Sequence, residues 1–230
     1  MPEWIIGAKE YWQRLGLSDA INFRQKMHLP EVGAVENIIP LRDLKQVLSI
    51  VPIERNVLLE IVRKIKTLDG RSVYENACIQ MFKVDPRQLK VGQKFAYREN
   101  YTQLLEEVTN TFDRFVIPGG ISELGAYFLF GLDANGKYSM SFYVPPILER
   151  HGNEIAIMDG IHRDFIMMKA GTTIQAIVVD GVSLPFPCSL HSWSELEVIS
   201  LKDKPKDINE RYFDLQKGLF RDVKFLGIDG

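Results

Sequence analysis

Asp159, Gly160, His162 and Arg163 stand together in "IMDGIHRDFIMMKAG" (157–171), where an apolar run ends in Asp-Gly and a short helical pattern closes at a second glycine. The spacing predicts a strand over 155–158, a turn at Asp159-Gly160 and a helix over 161–170 stopped by Gly171. The first turn of a helix carries N–H groups without helical acceptors and the positive end of the helix dipole, so it accepts anions. His162 and Arg163 fall on that turn. Cations there oppose the dipole at ~0.3 to 1 kcal/mol each when exposed, an arrangement that makes sense if an anion comes to rest beside them. Gly160 would let it approach the backbone closely. Asp159, Gly160, Ile161, His162 and Arg163 are therefore the candidate phosphate site. In the plainer alternative, Arg163 pairs with Asp159 or Asp164 and His162 satisfies a turn carbonyl.

Other chemistry-bearing residues are more scattered. "PCSLHSW" places Ser189, His191, Ser192 and Trp193 after the last expected strand, where they could line a substrate pocket or simply make a turn. Arg98 in "YRENY" could reach phosphate or cover the surface. "PGG" at 118–120 reads as a loop, because no Lys-Ser/Thr follows as a phosphate-cradling P-loop requires. Cys78 and Cys188 lie outside any CxxC or Cys/His spacing, which argues against a zinc site or a disulfide framework and makes both reduced core thiols.

These residues need a scaffold, and the chain is long enough to build one. Its 230 residues, 46% hydrophobic and 25% charged, match ordinary globular usage and can bury a core without staples. With 28 basic and 30 acidic side chains the formal charge is -2, so any nucleic-acid contact must rest on a local patch. No segment is long and apolar enough to cross a bilayer and the opening residues lack a signal-peptide core, so no membrane association and a cytoplasmic address are expected.

Periodicity assigns the elements. Trp4, Ile5, Ala8, Trp12 and Leu15 recur at helical spacing before Gly16. "PLRDLKQVLSIVPIERNVLLEIVRKIKTLDG" reads as two helices divided at Pro52, the second with Ile53, Val57, Leu58, Ile61, Val62 and Ile65 on one face. From about residue 75 the character changes. "CIQMFKVDP" predicts a strand and "RENYTQLLEEVTNTF" a helix. "GAYFLFGLDANGKYSMSFYV" predicts a hairpin turning at Asp-Ala-Asn-Gly. "PPIL", "NEIAIMDG" and "TTIQAIVVDGV" add short strands.

"PPILERHGNEIAIMDGIHRDFIMMKAGTTIQAIVVD" resembles the ParB/sulfiredoxin-like superfamily, in which a "PI" strand precedes a "DGxHR" corner, a helix and a further strand. "VDPRQLKVGQKFAYRENYTQLLEEV" resembles the family's opening strand, polar loop and helix, so the likeness covers roughly residues 78 to 182. The expected fold is α+β: a small mixed sheet with helices over 76–185, preceded by a mostly helical extension over 1–75 and followed by an extension over 186–230 packed on the core.

The resemblance implies that the corner binds nucleotide phosphates. Its departures separate the branches. Sulfiredoxins carry their catalytic cysteine immediately before the His-Arg pair, where this chain has Ile161, and neither cysteine replaces it. Chromosome-partitioning ParB proteins have Gly-Glu-Arg-Arg at this corner and a helix-turn-helix domain afterwards; here His162 replaces the first arginine and no clear helix-turn-helix pattern follows. The "DGxHR" group, which includes ParB-like nucleases and free serine kinases, fits best. In those kinases an acidic residue near the start of the domain is the base candidate. Glu99 takes that place here, with His162 beside the phosphate as the second catalytic candidate, while a solvated helix face explains Glu106 and Glu107. Capping of the following helix is the structural alternative for Glu99.

The leading expectation is a nucleotide-dependent phosphotransferase or hydrolase that takes ATP, ADP or CTP with Mg²⁺ and a small-molecule acceptor. A ParB-like DNA-binding protein or nuclease is the second, with a basic face from Arg150, Arg163, Lys169 and Lys137. A catalytically silent, ligand-gated interaction domain is the third.

Overall fold

The computed structural model describes residues 35–102 and 125–223, together with residues 6, 7, 9, 10 and 13. In chain order the strands are β1 (Ile6–Gly7), β2 (Asn37–Ile38), β3 (Leu44–Pro52), β4 (Cys78–Val84), β5 (Phe95–Tyr97), β6 (Tyr127–Asp133), β7 (Tyr138–Tyr143), β8 (Ile147–His151), β9 (Glu154–Asp159), β10 (Ile174–Asp180) and β11 (Glu197–Ile199). The helices are α1 (Arg55–Arg63), α2 (Ile161–Lys169) and the single turn α3 (Ile208–Arg211). No helix among the described residues is long and apolar enough to cross a membrane.

The chain packs as two units. The first takes Met1–Ile65, Gly125–Val144 and Asp222–Gly230; the second takes Lys66–Leu124 and Pro145–Arg221. This partition cuts across the expected boundaries near residues 75 and 185.

In the first unit, five strands run in the order β1-β2-β7-β6-β3. The hairpin β6–β7 forms where the Asp-Ala-Asn-Gly signal places it. Asp133 Oδ1 accepts the N–H groups of Asn135 and Lys137 at 2.8 and 2.9 Å, and Gly136 supplies a left-handed φ of 73°. The hairpin belongs to this sheet, and not to the α/β unit around residues 78–182 in which the sequence places it, because β6 pairs along β3 from Tyr127↔Pro52 to Asp133↔Leu44. That pairing also overturns the helix expected over 41–52. A short 3-10 turn, Leu41–Asp43, leads into an edge strand ending in Pro52, a position where a missing N–H costs no ladder bond.

The mostly helical head is accordingly corrected. Its described residues give three strands to the sheet, and α1 is the amphipathic helix expected, with Leu58, Ile61 and Val62 buried. Near the start, residues 6–7 are strand and Lys9, Glu10 and Gln13 are helical.

The second unit holds a four-stranded mixed sheet, β4-β10-β8-β9, and a parallel pair, β5 with β11. The strands expected from "CIQMFKVDP", "PPIL", "NEIAIMDG" and "TTIQAIVVDGV" are β4, β8, β9 and β10. Val91, Leu148, Ile157, Ile161, Ala176 and Val178 form its core, each large aliphatic side chain contributing ~1.5 to 3 kcal/mol by leaving water. Residues 186–221 wrap this core through short turns and bridges, including Val91↔His191 and Gln93↔Tyr212. Cys188 is buried, which pushes its thiol up to about 12, whereas Cys78 is exposed on edge strand β4 and is not a core thiol.

A buried clasp ties distant segments of this unit together. Arg221 makes a bidentate pair with Glu149 at 2.8 Å through Nε and Nη2, and Tyr74 Oη donates to the same carboxylate at 2.5 Å. His151 Nε2 lies 2.8 Å from Glu149 Oε2.

Candidate functional site

β9 ends at Asp159, and the chain turns through Gly160 into α2. Gly160 holds φ 97°, ψ 20°, and a Cβ built there would lie 2.8 Å from Pro146 Cβ. Conformation and contact both require glycine. α2 follows for nine residues, buries Ile161, Asp164 and Phe165, and closes as a Schellman motif: Thr172 N–H reaches Met167 O and Gly171 N–H reaches Met168 O. The first intrahelical bond is Asp164 N–H to Gly160 O at 2.9 Å, so the amides of Ile161, His162 and Arg163 lie ahead of the helical ladder.

Arg163 Nη2 meets Asp159 Oδ2 at 2.8 Å, with side chains only 13% and 4% exposed. The ion pair of the plainer alternative is therefore present, with Asp159 as the partner. It fixes the guanidinium at the mouth of the helix.

Among the described residues, the partner of His162 is a backbone amide and not a turn carbonyl. His162 Nε2 accepts the backbone N–H of Tyr97 at 3.0 Å, and the two rings lie 6.0 Å apart. A backbone N–H can only donate, so Nε2 carries a lone pair and the proton of the neutral ring is on Nδ1. Burial, then the charges of Lys204 and Arg163, lower its pKa to about 4. His162 is thus a neutral donor at pH 7, and the cation opposing the α2 dipole is Arg163.

Asp164 is fully buried and neither carboxyl oxygen has a hydrogen-bond partner among the described residues. Burial pushes it up to about 8; Asp159 adds to the rise and Arg163 works against it. The group is therefore largely protonated at neutral pH.

Glu99 and Arg98 sit on the helical turn over 98–102, directly after β5. Arg98 is exposed and its carbonyl accepts the Thr102 hydroxyl at 3.0 Å. Glu99 receives Ser200 Oγ–H at 2.5 Å and Leu201 N–H at 2.7 Å, contacts that hold its carboxylate below the usual range and weaken it as a base. It caps the turn at Leu201–Asp203, and its own backbone N–H, in the first turn of the helix, also bonds the carboxylate. Glu106, Glu107 and the "PGG" loop lie outside the described residues.

The tail residues dock the fold. Ser189 Oγ donates to Asp214 at 2.7 Å, and Trp193 Nε1 donates to Pro86 O at 2.7 Å. His191 pairs with Glu195 at 2.6 Å and stacks on Phe213 at 3.8 Å. Ser192 Oγ lies 2.6 Å from Ser194 Oγ.

No family model, curated protein or solved structure matches the chain. What the corner can do rests on its chemistry.

Two of its residues escaped the sequence reading. Tyr97 adjoins the "RENY" stretch and gives away its role only through its amide, which no side-chain pattern reports. Lys204 lies in the tail, yet its Nζ stands 5.0 Å from the centre of the Tyr97 ring. Among the described residues no group of three His, Cys, Asp or Glu is placed to hold a metal ion.

Proposed function

We propose that the second unit is a ParB/sulfiredoxin-like nucleotide-binding domain and that the protein is a small-molecule phosphotransferase or nucleotide hydrolase. One observation carries this reading: a left-handed Gly160, seated on Pro146, opens a helix whose first turn presents a neutral histidine and an oriented arginine. Phosphate oxygens accept hydrogen bonds and carry negative charge, and this corner offers donors and a positive dipole end.

Phosphoryl transfer depends mainly on positioning and charge stabilisation. The Nδ1–H of His162 donates to a phosphate oxygen, while Nε2 stays tied to Tyr97, so the ring orients phosphate without shuttling a proton. Arg163, aligned by Asp159, meets the charge that builds on the transferring group. A Mg²⁺ ion brought with the nucleotide would screen the phosphate charge that His162 and Arg163 meet.

Isothermal titration with ATP, ADP and CTP, with and without Mg²⁺, tests the reading. Binding by the native protein, and about tenfold weaker binding by Arg163→Gln, is the expected result. Absence of binding to all three nucleotides, or full binding by a folded Arg163→Gln protein, overturns it. Phosphate release with and without a panel of free amino acids then separates hydrolase from transferase.

A further inference from the structure

β10 lies between β8 and β4, and its hydrogen bonds fix which way the backbone of β4 faces. Ile177 N–H donates to Pro146 O at 2.8 Å, so the backbone groups of Ile177 point to the β8 side. Met81 is the antiparallel partner of Ile177 and therefore turns its own N–H and C=O away from β10. The pleat alternates, so Ile79 and Lys83 do the same. Among the described residues, none of these outward N–H and C=O groups has a hydrogen-bond partner. The far edge of the same sheet is closed instead: Lys90 N–H donates to Ile155 O at 2.8 Å and Ile157 N–H to Lys90 O at 2.9 Å, which covers β9. Along β4, Cys78, Gln80, Phe82 and Lys83 are all exposed, Phe82 to 48%.

An open strand edge is a template for another strand, and the pattern of this one fits itself. Antiparallel pairing of two β4 strands about a two-fold axis sets Met81 opposite Met81 and Ile79 opposite Lys83. Every outward N–H and C=O of both strands is then paired. A shift of one residue faces outward groups with inward ones; a shift of two leaves Ile79 or Lys83 of each strand without a counterpart in β4. The side chains agree with the axis at Met81. Lys83, the strand's one charge, falls opposite the second copy's Ile79 and clear of its own like. On the other face Phe82 lies opposite Gln80 and diagonal to the second copy's Phe82, within reach of an aromatic side chain, so both exposed rings leave water together.

We propose that β4 is a dimerisation edge and that its partner is a second copy of this chain, paired antiparallel about Met81 so that the sheet of the second unit continues through both copies. A two-fold contact closes at the dimer instead of propagating. The interface does not depend on the nucleotide reading.

Sedimentation velocity of the full-length protein over about a hundredfold range of concentration is expected to show a monomer–dimer equilibrium. Phe82→Lys replaces the aromatic contact by like charges diagonal across the axis and should weaken the dimer about tenfold or more. In a Cys78→Ser background, Met81→Cys should form an intermolecular disulfide on mild oxidation, because facing Cα atoms of a hydrogen-bonded pair stand ~5.5 Å apart. Lys83→Cys, off the axis, should not. Circular dichroism and thermal melting establish that each variant is folded.

A monomer at every concentration overturns the proposal. So does a dimer that Met81→Cys does not cross-link, or one that a folded Phe82→Lys protein forms at full strength, since another surface then holds it. Cross-linking of Lys83→Cys as fast as Met81→Cys overturns the register, and growth beyond the dimer overturns the two-fold. Should Phe82→Lys not fold, the contrast between Met81→Cys and Lys83→Cys decides by itself.

Discussion

The backbone N–H of Tyr97 donates to Nε2 of His162 across 3.0 Å, so a β-strand amide sets the tautomer of a helix side chain. The imidazole is held neutral by burial and by the nearby positive charges of Lys204 and Arg163.

Imidazole NMR should therefore find His162 titrating near pH 4, against an ordinary value near 6.5. Its folded pKa is depressed, so between these values the unfolded chain binds the extra proton. Stability from this group is full above about pH 6.5 and falls as pH drops toward 4. A His162 resonance titrating above pH 6 would contradict the buried geometry.

Asp164 acts in the opposite sense. Its folded pKa, about 8, lies above the ordinary 3.8, so its contribution is full below about pH 4 and is lost as pH rises through 8. Between pH 4 and 6.5 the two slopes oppose one another; from 6.5 to 8 Asp164 acts alone. Urea denaturation should show native stability falling from pH 6.5 to 8.5. The nearly isosteric Asp164→Leu should flatten that slope and gain about 1 to 3 kcal/mol at the alkaline end. An unchanged slope in the variant would remove Asp164 as its source.

Gly160→Ala should cost about 2 kcal/mol or more, since the substitution meets both a left-handed φ and the ring of Pro146. Thermal melting measures the loss. Gly152→Ala is the control: its φ is also positive, at 61°, but nothing lies within 4 Å of the added Cβ, so it should be milder. Equal losses would mean that Pro146 exerts no constraint.

The Glu149–Arg221 clasp should behave as a buried ion pair. Arg221→Met leaves Glu149 buried without its bidentate partner and is expected to cost about 3 to 5 kcal/mol. Adding Glu149→Gln removes the stranded charge and should recover part of that loss in urea denaturation. A double variant less stable than the sum of the singles would refute the coupling.

How far these features could be read beforehand follows from the range of the forces that make them. The α2 corner and the β6–β7 hairpin were legible because a left-handed glycine, a turn aspartate and alternating apolar residues act within a few positions. "LKQVLSIVP" was misread because its apolar spacing also fits a helix. Its strand state comes from pairing with β6, which lies far along the chain. The β-branched residues beside Pro52 were the available sign of an edge strand. In the site, Arg163 and His162 announced themselves by type and position. Lys204 had no local signal, since only the β5–β11 pairing brings it to Tyr97. The Glu149–Arg221 pair was invisible for the same reason.

The parallel pairing of β5 with β11 also bears on the order of events in folding. Gly160 and α2 can take shape from neighbouring residues, but Tyr97 and Lys204 meet only after a long loop has closed, and loop closure costs entropy before any contact repays it. On a growing chain the corner leaves the ribosome before the segment that completes its surroundings. A chain halted between α2 and β11 would carry the motif without the surroundings that we assign to the site.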